Sequence, residues 1–334
     1  MASGEVVHQR GAEGVECGGK EGSTSSATSR RRWDLLRSVL LKKEVDLREY
    51  ADITTRTLAD LQLFSKEKIE SGDGYVKVRY GVSNACSLTL KQSEEQKLKV
   101  KSLSELRTRE SDADRTGIVT VWPSEEALGY VCSKRAGAFE GKVVVEVGSG
   151  LGLAGLAIAA TTKAKLVVLT DGNSDAVSRL RENIALNAAK FGDTVVRAEK
   201  LDWSDAGLRT WWDETSVAEL GGGVDHVLCA DCIYHKELFR PLSGCLDFLL
   251  TRDQQRGTEC WLMCPNRHGG HSLFLQVLGE TAEDVEDSGW TIPPELGDHH
   301  HQKTTRESRG LEEASYPRLC VLAKKKEKKK KKHY

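Results

Sequence analysis

The chain has 334 residues, of which 39% are hydrophobic and 30% charged, with a formal net charge of −1. That is the composition of a soluble globular chain with some disordered portions, built as one large domain or two small ones. No apolar run approaches the about 18–20 residues that a membrane-spanning helix needs, and the N-terminus lacks the apolar core of a secretory signal.

The first segment, 1–30, is rich in Gly, Ser, Thr, Ala and Glu and reads as disordered. In "RRWDLLRSVLLKKEVD", 31–46, the positions of Trp33, Leu36, Leu40 and Leu41 predict a helix. "YVKVRYGV", 75–82, and "CSLTLKQ", 86–92, alternate as strands do and predict a hairpin or meander. Charged, loop-like sequence fills 91–115. "TGIVTVWPSEEALGYVCSKR" then predicts a short strand and a helix that starts at Pro123 or Ser124, where Glu125 and Glu126 suit its positive end.

From 142 onward strands and helices alternate. Strands are expected at 142–147, 165–171, 194–200, 225–230 and 258–264, and helices at 151–161, 173–190, 235–251 and 270–281. Continuous apolar strands between amphipathic helices predict an α/β fold, with a doubly wound, mostly parallel sheet covered on both faces. Polar residues 284–314 read as a long loop and 316–325 as a last strand. The segments divide as 1–30, an extension at 31–115, the α/β domain at 116–323 and a lysine-rich tail at 324–334. That tail hides an asymmetry. "KKKEKKKKK", 324–332, carries +7, so the other residues together carry −8 against the formal total of −1. It reads as a solvated end, a nuclear-import signal or a grip on an acidic partner.

Nine cysteines are scattered, mostly in apolar runs, which fits reduced thiols in a reducing compartment. Cys229 and Cys232 form one CxxC. Zinc needs about four ligands, so no metal site is expected from this pair alone.

"VVVEVGSGLGLAG", 143–155, allows two glycine readings. Gly150, Gly152 and Gly155 match the dinucleotide fingerprint, which points to NAD or FAD. The fingerprint's first glycine should follow the strand directly, and here that residue is Gly148. The register that fits the strand is therefore Gly148, Gly150 and Gly152, preceded by Glu146. Acidic and aromatic residues mark the successive strand ends: Glu146, Asp171, Asp202 with Trp203, and Asp231 with Tyr234. In a parallel sheet these ends share one edge, where ligands bind. A carboxylate at Glu146 would repel a pyrophosphate. It would attract the ammonium and sulfonium of S-adenosylmethionine. NAD-dependent oxidation remains the alternative at this point.

"VVVEVGSGLGLAGLAIA", "LTDGN", "LDW", "ADCIY" and "VWPSEE" resemble the class I, seven-strand protein lysine methyltransferases, a Rossmann-like fold. "RWDLLRSVL", "VTVWPSEEALGYVC", "CADC" and "YPRLCVLAK" are similar to the branch of that family that acts on calmodulin. The likeness spans roughly 31–325. It implies a seven-strand methyltransferase sheet with an N-terminal helix and β-hairpin extension, S-adenosylmethionine as cofactor and calmodulin as protein substrate. It implies that Gly148 and Gly150 approach the methionine moiety, with Glu146 shaping the turn and drawing the ammonium. Asp171 would take the ribose hydroxyls, and Asp202 and Trp203 the adenine. Trp122 would close the cofactor pocket, and Ala230 would lie beside the sulfur. Asp231 and Tyr234 would line the channel of the substrate lysine. A cytoplasmic and nuclear location is expected, with neither membrane nor nucleic acid as partner; oligomeric state stays open. No strong base is evident, so the lysine proton is expected to leave to solvent, with His235 as the alternative base.

Overall fold

The structure is a computed structural model and describes residues 61–72, 74–93, 117, 120–215, 223–253, 255–266, 269–305 and 316–325. The segment 1–30, the helix expected at 31–46 and the lysine run beyond Lys325 lie outside the described residues.

Three strands come first: β1 (Ser65–Gly72), β2 (Tyr75–Gly81) and β3 (Ser87–Ser93). They pair antiparallel in the order β1-β2-β3, so the expected hairpin is two strands of a three-stranded sheet. β1, "SKEKIESG", is exposed along its whole length. It carries no apolar alternation and is a strand only because β2 offers it a ladder. β3 shows the opposite case: Leu88 and Leu90 are fully buried and join the main core.

The second sheet starts after helix α1 (Pro123–Lys134). Its elements follow in the order β4 (Val143–Val147), α2 (Leu153–Thr161), β5 (Leu166–Asp171), α3 (Ser174–Asn187), β6 (Val195–Lys200) and α4 (Asp205–Glu214). Then come β7 (His226–Ala230), α5 (Phe239–Thr251), β8 (Glu259–Pro265) and α6 (Gly270–Thr281). The seven-stranded order is β6-β5-β4-β7-β8 followed by β10 (Pro317–Lys324) and β9 (Val285–Asp287). The five strands from β6 to β8 are mutually parallel, and β10 runs antiparallel to both neighbours. This is the expected Rossmann-like, doubly wound sheet.

Each buried strand feeds two cores, because successive side chains point to opposite faces. Val144, Val167 and Leu228 pack with α1, α2 and the three-stranded sheet. Val143, Val145, Val147 and Val227 pack with α4, α5 and α6. Trp211 and Trp212 of α4 are buried packing residues of this second layer.

The chain winds outward from β4 to β6 and then returns across β4 to β7. That reversal opens a crevice over the carboxyl ends of β4 and β7, the usual ligand position in open α/β sheets.

Two boundaries differ from expectation. The segment 284–314 holds β9, a 3₁₀ turn at Pro294–Leu296 and helix α7 (Gly297–Thr305). Its sequence, "GDHHHQKTT", has no apolar stripe. It is held through His299, whose Nδ1 meets the Tyr316 hydroxyl at 2.8 Å and whose Nε2 meets the Leu61 carbonyl at 2.7 Å. The helix expected from 235 begins at Phe239, after a 3₁₀ turn at Lys236–Leu238.

Candidate active site at the switch point

β4 ends at Val147, and the chain turns through Gly148, Gly150 and Gly152 at φ of +66°, +54° and +81°. Side chains other than glycine rarely adopt that region. A Cβ on Gly148 would lie 2.9 Å from Cys232 Sγ, and one on Gly150 would lie 2.7 Å from the Gly117 carbonyl. Gly155 has a different task. It sits in α2, and a Cβ there would overlap Leu169, so it lets the helix lie close on β5.

Glu146 alternates with Val144 and therefore faces α1 and α2. It is 1% exposed, and its Oε2 accepts from the Gly155 amide at 3.0 Å. Its Oε1 is buried without a hydrogen-bond partner among the described residues. Burial pushes this carboxyl up to about 8, with the Gly155 amide and the Ser149 hydroxyl pulling the other way and the Asp171 charge adding to the rise.

Beside it lies a residue that sequence reasoning saw only as a helix-start acid. Glu125 of α1 is 4% exposed and accepts from the Leu153 amide at 2.5 Å. Burial, and then the neighbouring Glu146, hold its carboxyl well above the usual carboxylate range. The two glutamates are 21 positions apart in sequence, a spacing with no motif behind it, so only the packing of α1 against α2 reveals the pair. Ser149, the Gly117 backbone and Cys232, which the sequence marked only as half of a CxxC, likewise line the cleft.

Asp171 ends β5. Its Oδ2 accepts from the Gly150 amide at 3.1 Å and its Oδ1 from the Asn173 amide at 2.9 Å. Helix α3 is capped instead by Asn173, whose Oδ1 accepts from Asp175 and Ala176. Asp171 thus fastens the glycine turn from below. Asp202 is exposed at the rim and accepts from the Ser204 amide at 2.8 Å, which holds its carboxyl below the usual range. Trp203 is half-buried beside Gly148, with its indole Nε1 buried and unpartnered among the described residues.

Ala230 ends β7. The next residue, Asp231, has φ of +55°, is 9% exposed and donates its amide to the Met263 carbonyl at 2.9 Å. A non-glycine residue held in the left-handed region stores strain of order 1–3 kcal/mol. Tyr234 follows on the same rim, its ring 4.7 Å from that of His235. Trp122 precedes α1 and reaches the cleft from the opposite side.

All ten sequence-predicted positions line one cleft of about 450 Å³: Trp122, Glu146, Gly148, Gly150, Asp171, Asp202, Trp203, Ala230, Asp231 and Tyr234. His235 is not among the lining residues. His226 is at the amino end of β7, against the Ala138 carbonyl at 3.1 Å, away from the cleft. Among the described residues no three or more His, Cys, Asp or Glu side chains are grouped to hold a metal ion, and no helix is long and apolar enough to cross a membrane. Cys229 and Cys232 are buried free thiols, and burial holds the Cys229 thiol well up.

The cleft fits S-adenosylmethionine by its own chemistry. Its floor is two glycines too crowded for a side chain. A buried carboxylate oxygen and a buried indole N–H await polar partners. The Asp171 carboxylate under the turn, and the buried glutamates once ionised, would repel a diphosphate and favour a cationic amino-acid end.

A family model described as lysine methyltransferase matches residues 100–281. The chain is 32% identical over 265 residues to the calmodulin-lysine N-methyltransferase of Arabidopsis thaliana, covering 76% of this chain and 83% of that protein. It is 29% identical over 210 residues to the protein-lysine N-methyltransferase EEF2KMT of Homo sapiens, covering 60% of this chain and 58% of that protein. A crystal structure of the magnesium protoporphyrin IX methyltransferase ChlM from Synechocystis, with bound SAM, aligns at a TM-score of 0.40 and 15% identity, over 66% of this chain and 94% of that one. The chain belongs to the lysine methyltransferase family, whose methyl donor is S-adenosylmethionine.

Proposed function

We propose that this protein methylates the Nζ of a lysine on calmodulin. The relative that is 32% identical and 83% covered supports that substrate. The observation that carries the chemistry is the pair of buried glutamates beneath a glycine turn, with Asp231 held in a strained conformation just past the end of the neighbouring strand β7.

Bound S-adenosylmethionine supplies an electrophilic methyl on a sulfonium. In this reading Gly148 and Gly150 admit the methionine moiety, with Glu146 drawing its ammonium. Asp171 reaches the ribose, Asp202 and Trp203 the adenine, and Trp122 closes the pocket. Ala230 lines the wall beside the sulfur. Asp231 orients the substrate amine, and Tyr234 forms the wall that aligns it and excludes water. A free lysine has a pKa of about 10.4 and must shed a proton first. The apolar wall lowers that value, and the proton leaves to solvent. If His235→Ala cut turnover at least about a hundredfold at unchanged cofactor affinity, a general base would replace solvent here.

The test is mass spectrometry of calmodulin after incubation with the protein and S-adenosylmethionine. One lysine is expected to gain mass in methylene steps, and its replacement by arginine should abolish the gain. Transfer to other proteins with calmodulin left unmodified would end the calmodulin assignment while leaving lysine methylation standing. We extend the proposal to a cytoplasmic and nuclear location, on the strength of the lysine run; imaging of the full chain against one lacking 326–334 checks it.

A further inference from the structure

Three glutamates are buried where α1 meets α2. Glu126 is answered by a cation: its Oε2 pairs with Lys66 Nζ at 2.8 Å, and its Oε1 accepts from the Leu63 and Phe64 amides. Glu125 and Glu146 are not. Each is more than nine-tenths buried, and each accepts from an amide of the first turn of α2, Glu125 from Leu153 and Glu146 from Gly155, with the Trp122 and Gly152 backbone also aiding Glu125. Neither has an ion-pair partner among the described residues.

The groups packed around them do not supply one. α1 adds the Cys132 thiol and β5 adds Asp171, Asp231 lines the same cleft just past the end of β7, and α2 carries no titratable side chain at all. Arg135, at the far end of α1, is held by Glu295 at 2.6 Å. The α2 N-terminus offers partial positive charge, worth only about 0.3–2 kcal/mol. Two carboxylates in one dry place with no cation do not both ionise.

We infer that Glu125 and Glu146 act as one acid pair that keeps a proton in the cofactor-free protein and releases it to solvent when the cationic amino-acid end of the cofactor binds. The inference rests on the S-adenosylmethionine reading above. The unpartnered Glu146 Oε1 is the atom the ammonium would meet. The elevation of the Glu146 carboxyl to about 8 places the exchange within reach of ordinary buffers. By linkage, affinity then rises with pH below that value, by up to about tenfold per pH unit for one proton released.

The experiment is titration calorimetry of the full chain near pH 6.5, below the ordinary α-amino pKa of about 8, in buffers of differing protonation enthalpy. S-adenosylhomocysteine, which carries the ammonium, should release close to one proton per molecule bound. 5′-Methylthioadenosine, which lacks the amino-acid end, should release none. The double variant Glu125→Gln, Glu146→Gln keeps an acceptor for both amides and should bind S-adenosylhomocysteine without proton release. Buffer-independent heat in the native chain, equal release with both ligands, or equal release by the variant each overturns the pair. Binding of neither ligand would instead overturn the cofactor reading beneath it. If the variant fails to fold, the two ligands on the native chain decide.

Discussion

Asn183 of α3 donates through Nδ2 to the Leu151 carbonyl at 3.0 Å, inside the glycine turn. Its Oδ1 accepts from the Lys91 amide of β3 at 2.8 Å. One turn on, Asn187 accepts from the Thr89 amide at 2.9 Å and donates to the Thr89 carbonyl at 2.8 Å. Four residues of helix advance about 6.0 Å and two of strand about 6.6 Å, so the two amides serve as a neighbouring strand for the edge of β3. The three-stranded sheet and the cofactor turn are thereby joined through one buried side chain.

Asn183→Ala should therefore act at both ends. It leaves the Lys91 amide and the Leu151 carbonyl without partners, a loss of about 2–3 kcal/mol. Urea unfolding would read that loss, and cofactor affinity should fall with it. An unchanged unfolding midpoint would show that water replaces the amide without penalty.

Gly148→Ala separates backbone from sterics. An alanine at φ +66° costs about 1–2 kcal/mol, and its Cβ would press on Cys232 Sγ. We expect reduced stability and a cofactor affinity lower by roughly tenfold or more, the equivalent of about 1.4 kcal/mol. Adding Cys232→Ala removes the contact but not the strained φ. It should restore part of the affinity and little of the stability. Full recovery of both would mean that the backbone conformation is unimportant.

Much of this site was legible before the fold was known. The strand that stops at Val147, the glycines that follow and the acids at successive strand ends are local signals, and a parallel sheet lines them up. Glu125 was not legible as a site residue, because its role depends on a helix packing from outside the strand–turn–helix unit. β1 and α7 escaped for a related reason. Neither has an apolar face: β1 is held by the β2 ladder and the Lys66–Glu126 pair, and α7 through His299 by the Tyr316 hydroxyl and the Leu61 carbonyl. The long reach of the Asn183 amides was equally invisible, since Lys91 and Asn183 are far apart in sequence.

Asp231 should trade stability against activity. Glycine accepts φ +55° without strain, so Asp231→Gly is expected to be at least as stable as the native chain. It loses the carboxylate, and methyl transfer should fall by about a hundredfold or more while cofactor binding persists. Asp231→Asn tolerates the same backbone and isolates the charge. Near-native turnover in Asp231→Asn would show that the carboxylate charge does not orient the amine.

The Glu146 carboxyl makes cofactor-free stability depend on pH. Its folded value is raised to about 8 from an ordinary 4.5, so the folded state binds the extra proton between those values. The stabilisation is full below the ordinary value and is lost as pH rises through the folded one, at a slope on the order of 1 kcal/mol per pH unit. The cofactor-free protein should unfold at higher urea at pH 6 than at pH 8. The double variant Glu125→Gln, Glu146→Gln, neutral at both, should flatten that difference. Equal midpoints for the native chain at the two pH values would refute the raised carboxyl.

The lysine run offers a salt-dependent prediction. Lys324 belongs to β10 and pairs with Val285, and the Lys325 amide donates to the Asp284 carbonyl at 2.7 Å. A truncation that spares the sheet must therefore begin at 326. The segment it removes, KEKKKKKHY, carries +5, so the remaining chain carries −6 (−1 minus 5) and would repel an acidic substrate such as calmodulin. A basic segment raises the encounter rate with an acidic partner, and this effect is screened within about 8 Å at physiological ionic strength and 3 Å at 1 M. Deleting 326–334 should raise KM for calmodulin several-fold at low salt, leave kcat unchanged, and matter little near 1 M salt. The same KM for both forms at low salt would remove the tail from substrate capture and leave the acidic body to bind its substrate through local contacts alone.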